Sequence, residues 1–290
     1  MNANKGLTRL DAIIVVACIA LVLAQATVIN AGGRERAKRE VCLANLRSLA
    51  SAWQSYSNDN NGKIPSGDVG YSWSFPSPQL AWHEWPHRLH PGVPPSYTTN
   101  WGGGPGMGNA LSYSAARTAS DEILNHAISE GTLWKYVGDY DIYQCPDADK
   151  GAYVAYSMSH SMNTYPGSAG TGSPTITNIN QITKPAERFV FLDTGVIKQG
   201  AFFVVYSTNG SIFSGKWYDA PPMRHGQGTT FVFADGHTEY RKWTDQHTLA
   251  AKGLGIGDVD YCDCDLRWMV KVTWGNVPYT CTNPNKHCEY

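Results

Sequence analysis

The first sixty residues carry two different hydrophobic patterns. Thirteen apolar residues run without a break from Ala12 to Ala24, and the apolar character resumes after Gln25 as far as Ile29. The 18 positions from Ala12 to Ile29 are close to the minimum for a helix that crosses a bilayer. Beyond Arg34 the apolar residues recur instead at helical spacing. They are Val41, Leu43, Leu46, Leu49, Ala50, Trp53 and Tyr56. Together the patterns predict one helix of about 50 residues, roughly 75 Å long, apolar first and amphipathic afterwards.

The pattern changes after Asn58–Gly62, whose Asn and Gly residues are typical of a helix end. The later segments that read as strands are short. They are Phe189–Leu192, Ala201–Tyr206, Thr229–Ala234 and His237–Trp243. Asp235-Gly236 between the last two predicts a hairpin with a two-residue type I′ turn. The predicted fold class is α+β: a long N-terminal helix packed on an antiparallel sheet with large loop insertions.

Composition narrows the class of protein. Only 16% of the residues are charged, and the 29 Gly and 16 Pro suit a loop-rich β domain. The formal net charge of −1 argues against a nucleic-acid partner, which would favour a basic surface. The chain has seven Cys, and four of them fall in the last 29 residues, a density typical of proteins outside the reducing cytosol.

The N-terminus allows two interpretations. A secretory signal peptide is one, since a basic residue precedes a short apolar segment. Against it, no small-x-small cleavage site stands before a folded start, and the apolar run continues directly into the amphipathic helix. A retained helical anchor is therefore favoured.

This design resembles a type IV pilin or a type II secretion pseudopilin. In that family a basic leader ends in Gly, a dedicated peptidase cuts after it, and an acid occupies position five of the mature chain. Here Gly6, Leu7 and Asp11 take these places, with Asp11 where Glu is usual and Arg9 where the family prefers an apolar residue. The resemblance implies four segments. They are a leader at 1–6, a transmembrane or filament-core helix at 7–31, its amphipathic half at 32–62, and a β-rich head at 63–290.

Further segments resemble one branch of these proteins, which carries His, nine residues and Asp-Gly. They are Cys42–Arg47, Gly62–Pro65, Tyr143–Asp147, Tyr156–Asn163, Pro185–Asp193, and His225 followed by Asp235-Gly236. A catalytic interpretation of this motif would need a nucleophile or a ligand set around His225, and none is legible in the sequence. We therefore predict that His225, Asp235 and Gly236 are structural, and that the protein is not an enzyme.

Two metal sites are conceivable near the C-terminus. Four carboxylates suit calcium, which some pseudopilins hold in a loop near the sheet, although a solvated acidic turn is the favoured interpretation. They are Asp258, Asp260, Asp263 and Asp265. No other cofactor is implied.

The tail cysteines could bind zinc, but their spacing lacks two Cys-x2-Cys pairs, so disulfides are favoured. We predict two bridges among Cys262, Cys264, Cys281 and Cys288, a further one between Cys42 and Cys145, and a reduced Cys18. The Trp-rich region Tyr71–Gly108 is either an aromatic platform for carbohydrate or a loop insertion packed by its aromatic side chains.

The resemblance implies a structural subunit of a pilus-like or pseudopilus filament that polymerises through its N-terminal helix. Its partners would be copies of itself, the prepilin peptidase and the assembly machinery of the inner membrane, where the subunit waits before it reaches the cell surface. Asp11 would neutralise the N-terminal amine of a neighbouring subunit in an apolar core. The alternative is a membrane-anchored extracytoplasmic carbohydrate-binding protein or enzyme.

Overall fold

A long helix and an antiparallel sheet dominate the computed structural model of the protein. The structure describes residues 9–67, 120–149, 151–163, 175–195, 201–205, 208–209, 212–213, 216–251 and 263–275. Its helices are α1 (Arg9–Asp59), α2 (Asp121–Ser129), α3 (Trp134–Val137), α4 (Gln246–Ala250) and α5 (Cys264–Trp274). Its strands are β1 (Tyr156–Met158), β2 (Phe189–Asp193), β3 (Val204–Val205), β4 (Thr208–Asn209), β5 (Ile212–Phe213), β6 (Lys216–Trp217), β7 (Gly228–Phe233) and β8 (Thr238–Lys242). The predicted α+β class is confirmed, with a four-stranded antiparallel sheet in the order β1-β2-β7-β8.

Helix α1 has 51 residues and runs without interruption across the predicted boundary between segments 7–31 and 32–62. It ends where the sequence predicts. Asn61 and Gly62 both have positive φ, 56° and 81°, and the Gly62 amide donates to the Ser57 carbonyl. This left-handed turn releases the chain toward the sheet, because it satisfies a carbonyl at the helix end.

No helix among the described residues has an apolar stretch that could span a bilayer. The described side chains of the N-terminal half of α1 are those of residue 9, residues 12–18 and residues from 32 onward. The prediction that 7–31 forms a transmembrane segment therefore finds no support in the described part of α1.

The sheet is covered on both faces. On one face, the amphipathic half of α1 packs against β2, β7 and β8, and its buried residues include Leu46, Leu49 and Trp53. A β-bulge between Phe189 and Phe191 shifts the pairing of β2 with β7, and the consecutive residues Val190 and Phe191 both join this core.

The second face of the sheet carries an aromatic core that includes α5. Phe231 of β7 meets Trp268 of α5 edge to face at 5.1 Å between ring centroids, and Trp243 packs against the same phenyl ring at 6.1 Å. Arg241 lies over the Trp268 ring at 4.1 Å. The sequence predicts the helix on the first face but not the helical cover on the second.

Candidate functional site

The two halves of α1 have different surroundings. Ile13 and Val16 are each 66% exposed, and residues 32–37 are exposed as well. Lys38 Nζ lies 3.3 Å from Asp147 Oδ1 of the head. From there the helix lies on the head, and Leu46 and Trp53 are fully buried. The apolar surface at residues 13–16 therefore has no cover from the described residues of its own chain.

The predicted processing and assembly residues can be placed only in part. Gly6 and Leu7 lie outside the described residues. Asp11 belongs to α1, but its side chain is not described. The peptidase site and the charge pair of Asp11 thus stay predictions.

A disulfide ties α1 to the head. Cys42 and Cys145 are bonded, with Cα atoms 5.4 Å apart and 103 residues of sequence separation. This is the pair that we predict from the sequence. Cys18 is free and exposed, also as expected. The bridge fixes the start of the buried half of α1 against the loop before β1.

His225 lies against this disulfide. Its Nε2 atom is 3.5 Å from Cys145 Sγ and 3.1 Å from Asp193 Oδ2, and its side chain is 1% exposed. Its φ of 49° is in the left-handed region, which is uncommon for residues other than glycine. Tyr240 donates its hydroxyl hydrogen to the His225 carbonyl at 3.1 Å. The ring is thus held by contacts on several sides.

Charged groups surround the imidazole. Arg224 has its guanidinium 3.7 Å from Asp147, 3.6 Å from Asp149 and 4.0 Å from Asp193. Burial by itself would raise the pKa of Asp147, but the hydrogen bond from the His225 amide and the positive charges of Lys38 and Arg224 bring that pKa below its usual value. Asp147 is therefore ionised at neutral pH and balances the cations around it.

Asp193 is positioned by the end of β2. Its Oδ1 atom accepts the Gly195 amide at 2.8 Å, which leaves Oδ2 directed at His225. Gly195 has a φ of 64°, and a Cβ at this position would collide with the Arg224 side chain. Glycine therefore suits this turn, and its amide orients the carboxylate of Asp193.

Four segments that the sequence singles out separately therefore converge on one point. The segment 42–47 supplies Cys42, 143–147 supplies Cys145, 185–193 supplies Asp193, and the motif supplies His225. The sequence does not predict that Asp193 and Asp147 surround the histidine, since their separation along the chain gives no local signal. The one signal in the sequence is that each aspartate is the last residue of a segment that resembles the pilin branch, 143–147 for Asp147 and 185–193 for Asp193.

The Asp-Gly part of the motif forms the predicted hairpin but not the predicted turn. A type I′ turn needs positive φ at both central residues. Gly236 has a φ of 92°, whereas Asp235 is not among the described residues with positive φ. The Gly236 amide donates to the Phe233 carbonyl, and the Phe233 amide donates to the His237 carbonyl, each at 2.9 Å. The connection is thus a wider turn closed by a left-handed glycine, as in hairpins with a G1 bulge.

The predicted calcium ligands have other roles where they are described. Asp263 caps α5 by accepting the Leu266 amide at 2.9 Å, and it accepts the Thr248 hydroxyl at 2.6 Å. Asp265 accepts the amides of Thr244 and Asp245 at 2.6 and 2.8 Å. Burial raises the pKa of Asp263, which makes its charged form harder to maintain without partners. Asp258 and Asp260 lie outside the described residues, so a calcium site stays a prediction.

The tail is described only through α5. Cys264 is disulfide-bonded, as predicted for the tail cysteines. Cys262, Cys281 and Cys288 lie outside the described residues, and so does the Trp-rich region 71–108. The pairing scheme and the two interpretations of the Trp-rich region stay open.

Comparison with protein-family models, curated proteins and solved structures finds no match to this chain.

Proposed function

We propose that this protein is the structural subunit of a pilus-like or pseudopilus filament and that it polymerises through the N-terminal half of α1. One observation carries the proposal. The apolar side chains at 13–16 are 50–66% exposed on a helix whose other half is buried in the head. The head has its own core, so the exposed half is available for contacts with other copies.

The dimensions suit this role. At 1.5 Å per residue the 51-residue helix is about 77 Å long, so its free half extends well beyond the head. Copies packed along such a helix form a heterologous contact that does not close, and a contact of that kind produces an open filament. Before assembly the apolar segment would reside in the inner membrane, and the filament would carry the heads on the cell surface.

We propose that Asp11 sets the axial register between neighbouring subunits of the filament. After cleavage behind Gly6 the chain would begin with the amine of Leu7. Several kcal/mol are lost when an unpaired charge of this kind enters an apolar core, on the order of the desolvation cost of one ion. A carboxylate from a neighbouring subunit would remove that cost.

Asp11→Ala should abolish filaments or reduce their yield strongly, while the head keeps its thermal stability. Electron microscopy of material sheared from cells gives the yield, and circular dichroism of the purified chain gives the stability. Asp11→Glu is the matched control, because it keeps the charge and should retain filaments. Normal filaments from Asp11→Ala would contradict the role of Asp11. A dispersed wild-type protein that binds oligosaccharide would favour the anchored carbohydrate-binding alternative.

A further inference from the structure

Two sulfurs, one imidazole nitrogen and one carboxylate oxygen come together in the interior of the head. They belong to Cys42, Cys145, His225 and Asp193, all four of which are buried. One donor atom from each side chain lies within 4.8 Å of every other. In the oxidised protein the two sulfurs bond to each other. Reduction would turn them into two thiols that face the other two donors.

Two of the separations match those of ligands on one metal ion. Zinc binds sulfur at about 2.3 Å and imidazole nitrogen at about 2.0 Å, so two such ligands at a tetrahedral angle are roughly 3.5 Å apart. Cys145 Sγ and His225 Nε2 are 3.5 Å apart. A nitrogen and a carboxylate oxygen on the same ion would be roughly 3.3 Å apart, and His225 Nε2 is 3.1 Å from Asp193 Oδ2. The bonded sulfurs would have to separate to roughly 3.8 Å.

Charged groups lie behind the donors. A metal-bound histidine usually directs its other ring nitrogen at a carboxylate or carbonyl. His225 Nδ1 is buried, makes no hydrogen bond among the described residues, and lies 3.9 Å from Asp147 Oδ2. The Gly195 amide holds the other oxygen of Asp193 at 2.8 Å. Arg224, 4.0 Å from Asp193 Oδ1, would offset the surplus negative charge of two thiolates and one carboxylate on a divalent ion.

We propose that the reduced form of this protein binds one Zn²⁺ through Cys42, Cys145, His225 and Asp193. A dithiol reductant transfers two electrons and two protons to the disulfide, and it becomes a disulfide itself. The two cysteine thiols then lose their protons as Zn²⁺ binds their sulfurs. Two thiolates with an imidazole favour zinc over calcium or magnesium, which take oxygen ligands.

The disulfide and the zinc site are alternative states of the same four residues. Zinc requires thiolates, and the bonded sulfurs carry no such charge. Either state links α1 to the segment before β1, so zinc would hold the helix on the head before oxidation. This inference does not depend on filament assembly, since its residues lie in the head and in the half of α1 that packs on the head.

The test uses the full-length chain in detergent micelles, reduced with a phosphine and then mixed with Zn²⁺. Cysteines are alkylated, and peptide mass spectrometry reports the labelling of each one. Zinc should slow the labelling of Cys42 and Cys145 at least tenfold, and Co²⁺ in its place should give a thiolate-to-cobalt absorption band. Because labelling is measured for each cysteine separately, zinc bound by the tail cysteines can be distinguished from zinc bound at Cys42 and Cys145.

His225→Gln and Asp193→Asn should each reduce this protection at least tenfold. His237→Gln is the matched control, since this histidine lies in the turn between β7 and β8 and its side chain is 43% exposed. Each variant is first checked by circular dichroism in the oxidised state, where the disulfide supports the fold. Protection that persists in both variants would overturn the proposal. So would equal labelling with and without zinc, whether the reduced head stays folded or unfolds without recovery on addition of zinc.

Discussion

The two halves of α1 are similar in composition at their apolar positions but opposite in environment. Ile13 and Val16 are 66% exposed, whereas Leu46 and Leu49 are fully buried under the same kind of helix surface. The difference is what the chain places next to each half. The second half has an antiparallel sheet beside it, and the described residues place nothing beside the first.

The comparison shows which process gains the free energy of burying the apolar side chains of each half. Burial of one Val, Leu or Ile side chain stabilises by roughly 1.5–3 kcal/mol. For Leu46 and Leu49 this gain belongs to the folding of the head. For Ile13 to Val16 it becomes available only when another molecule covers them. We therefore expect substitutions in the two halves to affect different measurements.

The largest effect on filament formation should follow the introduction of a charge into the exposed N-terminal half of α1. Val16→Asp introduces a carboxylate into the surface that would pack against other copies, and an unpaired charge there is strongly unfavourable. We expect complete loss of filaments in electron micrographs. The unfolding midpoint of the head should not change, because substitutions at exposed positions usually alter stability by less than about 0.5 kcal/mol.

Val16→Leu is the control for this experiment, since it keeps the surface apolar. A Val16→Asp protein that still forms filaments would show that this face is not the assembly surface. A fall in head stability in the same variant would show that the free half packs on the head.

The next largest effect should come from the bond that joins the buried half to the head. Closing a loop of 103 residues is worth about 4–5 kcal/mol in the chain-entropy model. The double variant Cys42→Ser, Cys145→Ser should lose a free energy of unfolding of this size in urea titrations. Cys18→Ser should lose nothing, because this cysteine is free and exposed. Equal stability of the double variant would mean that packing alone holds α1 in place.

The sequence predicts those features that depend on neighbours along the chain. The end of α1 at Asp59, the hairpin of β7 with β8 and the strand from Phe189 all follow local patterns of apolar residues, Gly and Asn. The turn type was wrong, because the rule for Asp-Gly assumes a two-residue connection, whereas the structure places four residues between β7 and β8.

The surroundings of His225 could not be predicted in this way. The contact with Cys145 spans 80 residues and that with Asp193 spans 32. The pairing of β2 with β7 brings Asp193 close to His225, and the disulfide holds Cys145 against α1. A histidine near an Asp-Gly pair indicates a turn, and nothing local indicates a disulfide beside it. The packing of α5 on the second face likewise joins distant segments, whereas the helix itself has a local signal, with apolar residues at Leu266, Met269 and Val270.

After loss of the disulfide, the next largest effect should come from truncating a core side chain in the buried half of α1. Leu46→Ala removes a fully buried side chain between α1 and the sheet, and such changes usually cost about 2–5 kcal/mol. Chemical denaturation of the purified chain measures the loss. Val41→Ala is the matched control, because Val41 is 46% exposed on the same part of the helix and should change stability little. Similar losses at both positions would mean that this half of α1 is not packed as described.

The smallest effect should arise at the junction of the two halves. Gly33 lies inside α1, a Cβ at this position would meet no atom within 4 Å, and the residue does not have positive φ. Ala is more favourable than Gly inside a helix by about 1 kcal/mol, because Gly loses more backbone freedom when it is ordered. Gly33→Ala should therefore slow hydrogen exchange of the amides around residue 33 about fivefold, the factor that corresponds to about 1 kcal/mol. Exchange at Leu49 should stay the same, since the sheet already holds that part of α1. If the substitution slowed exchange in both halves alike, the helix would open as one unit and the contrast between its halves would not extend to their dynamics.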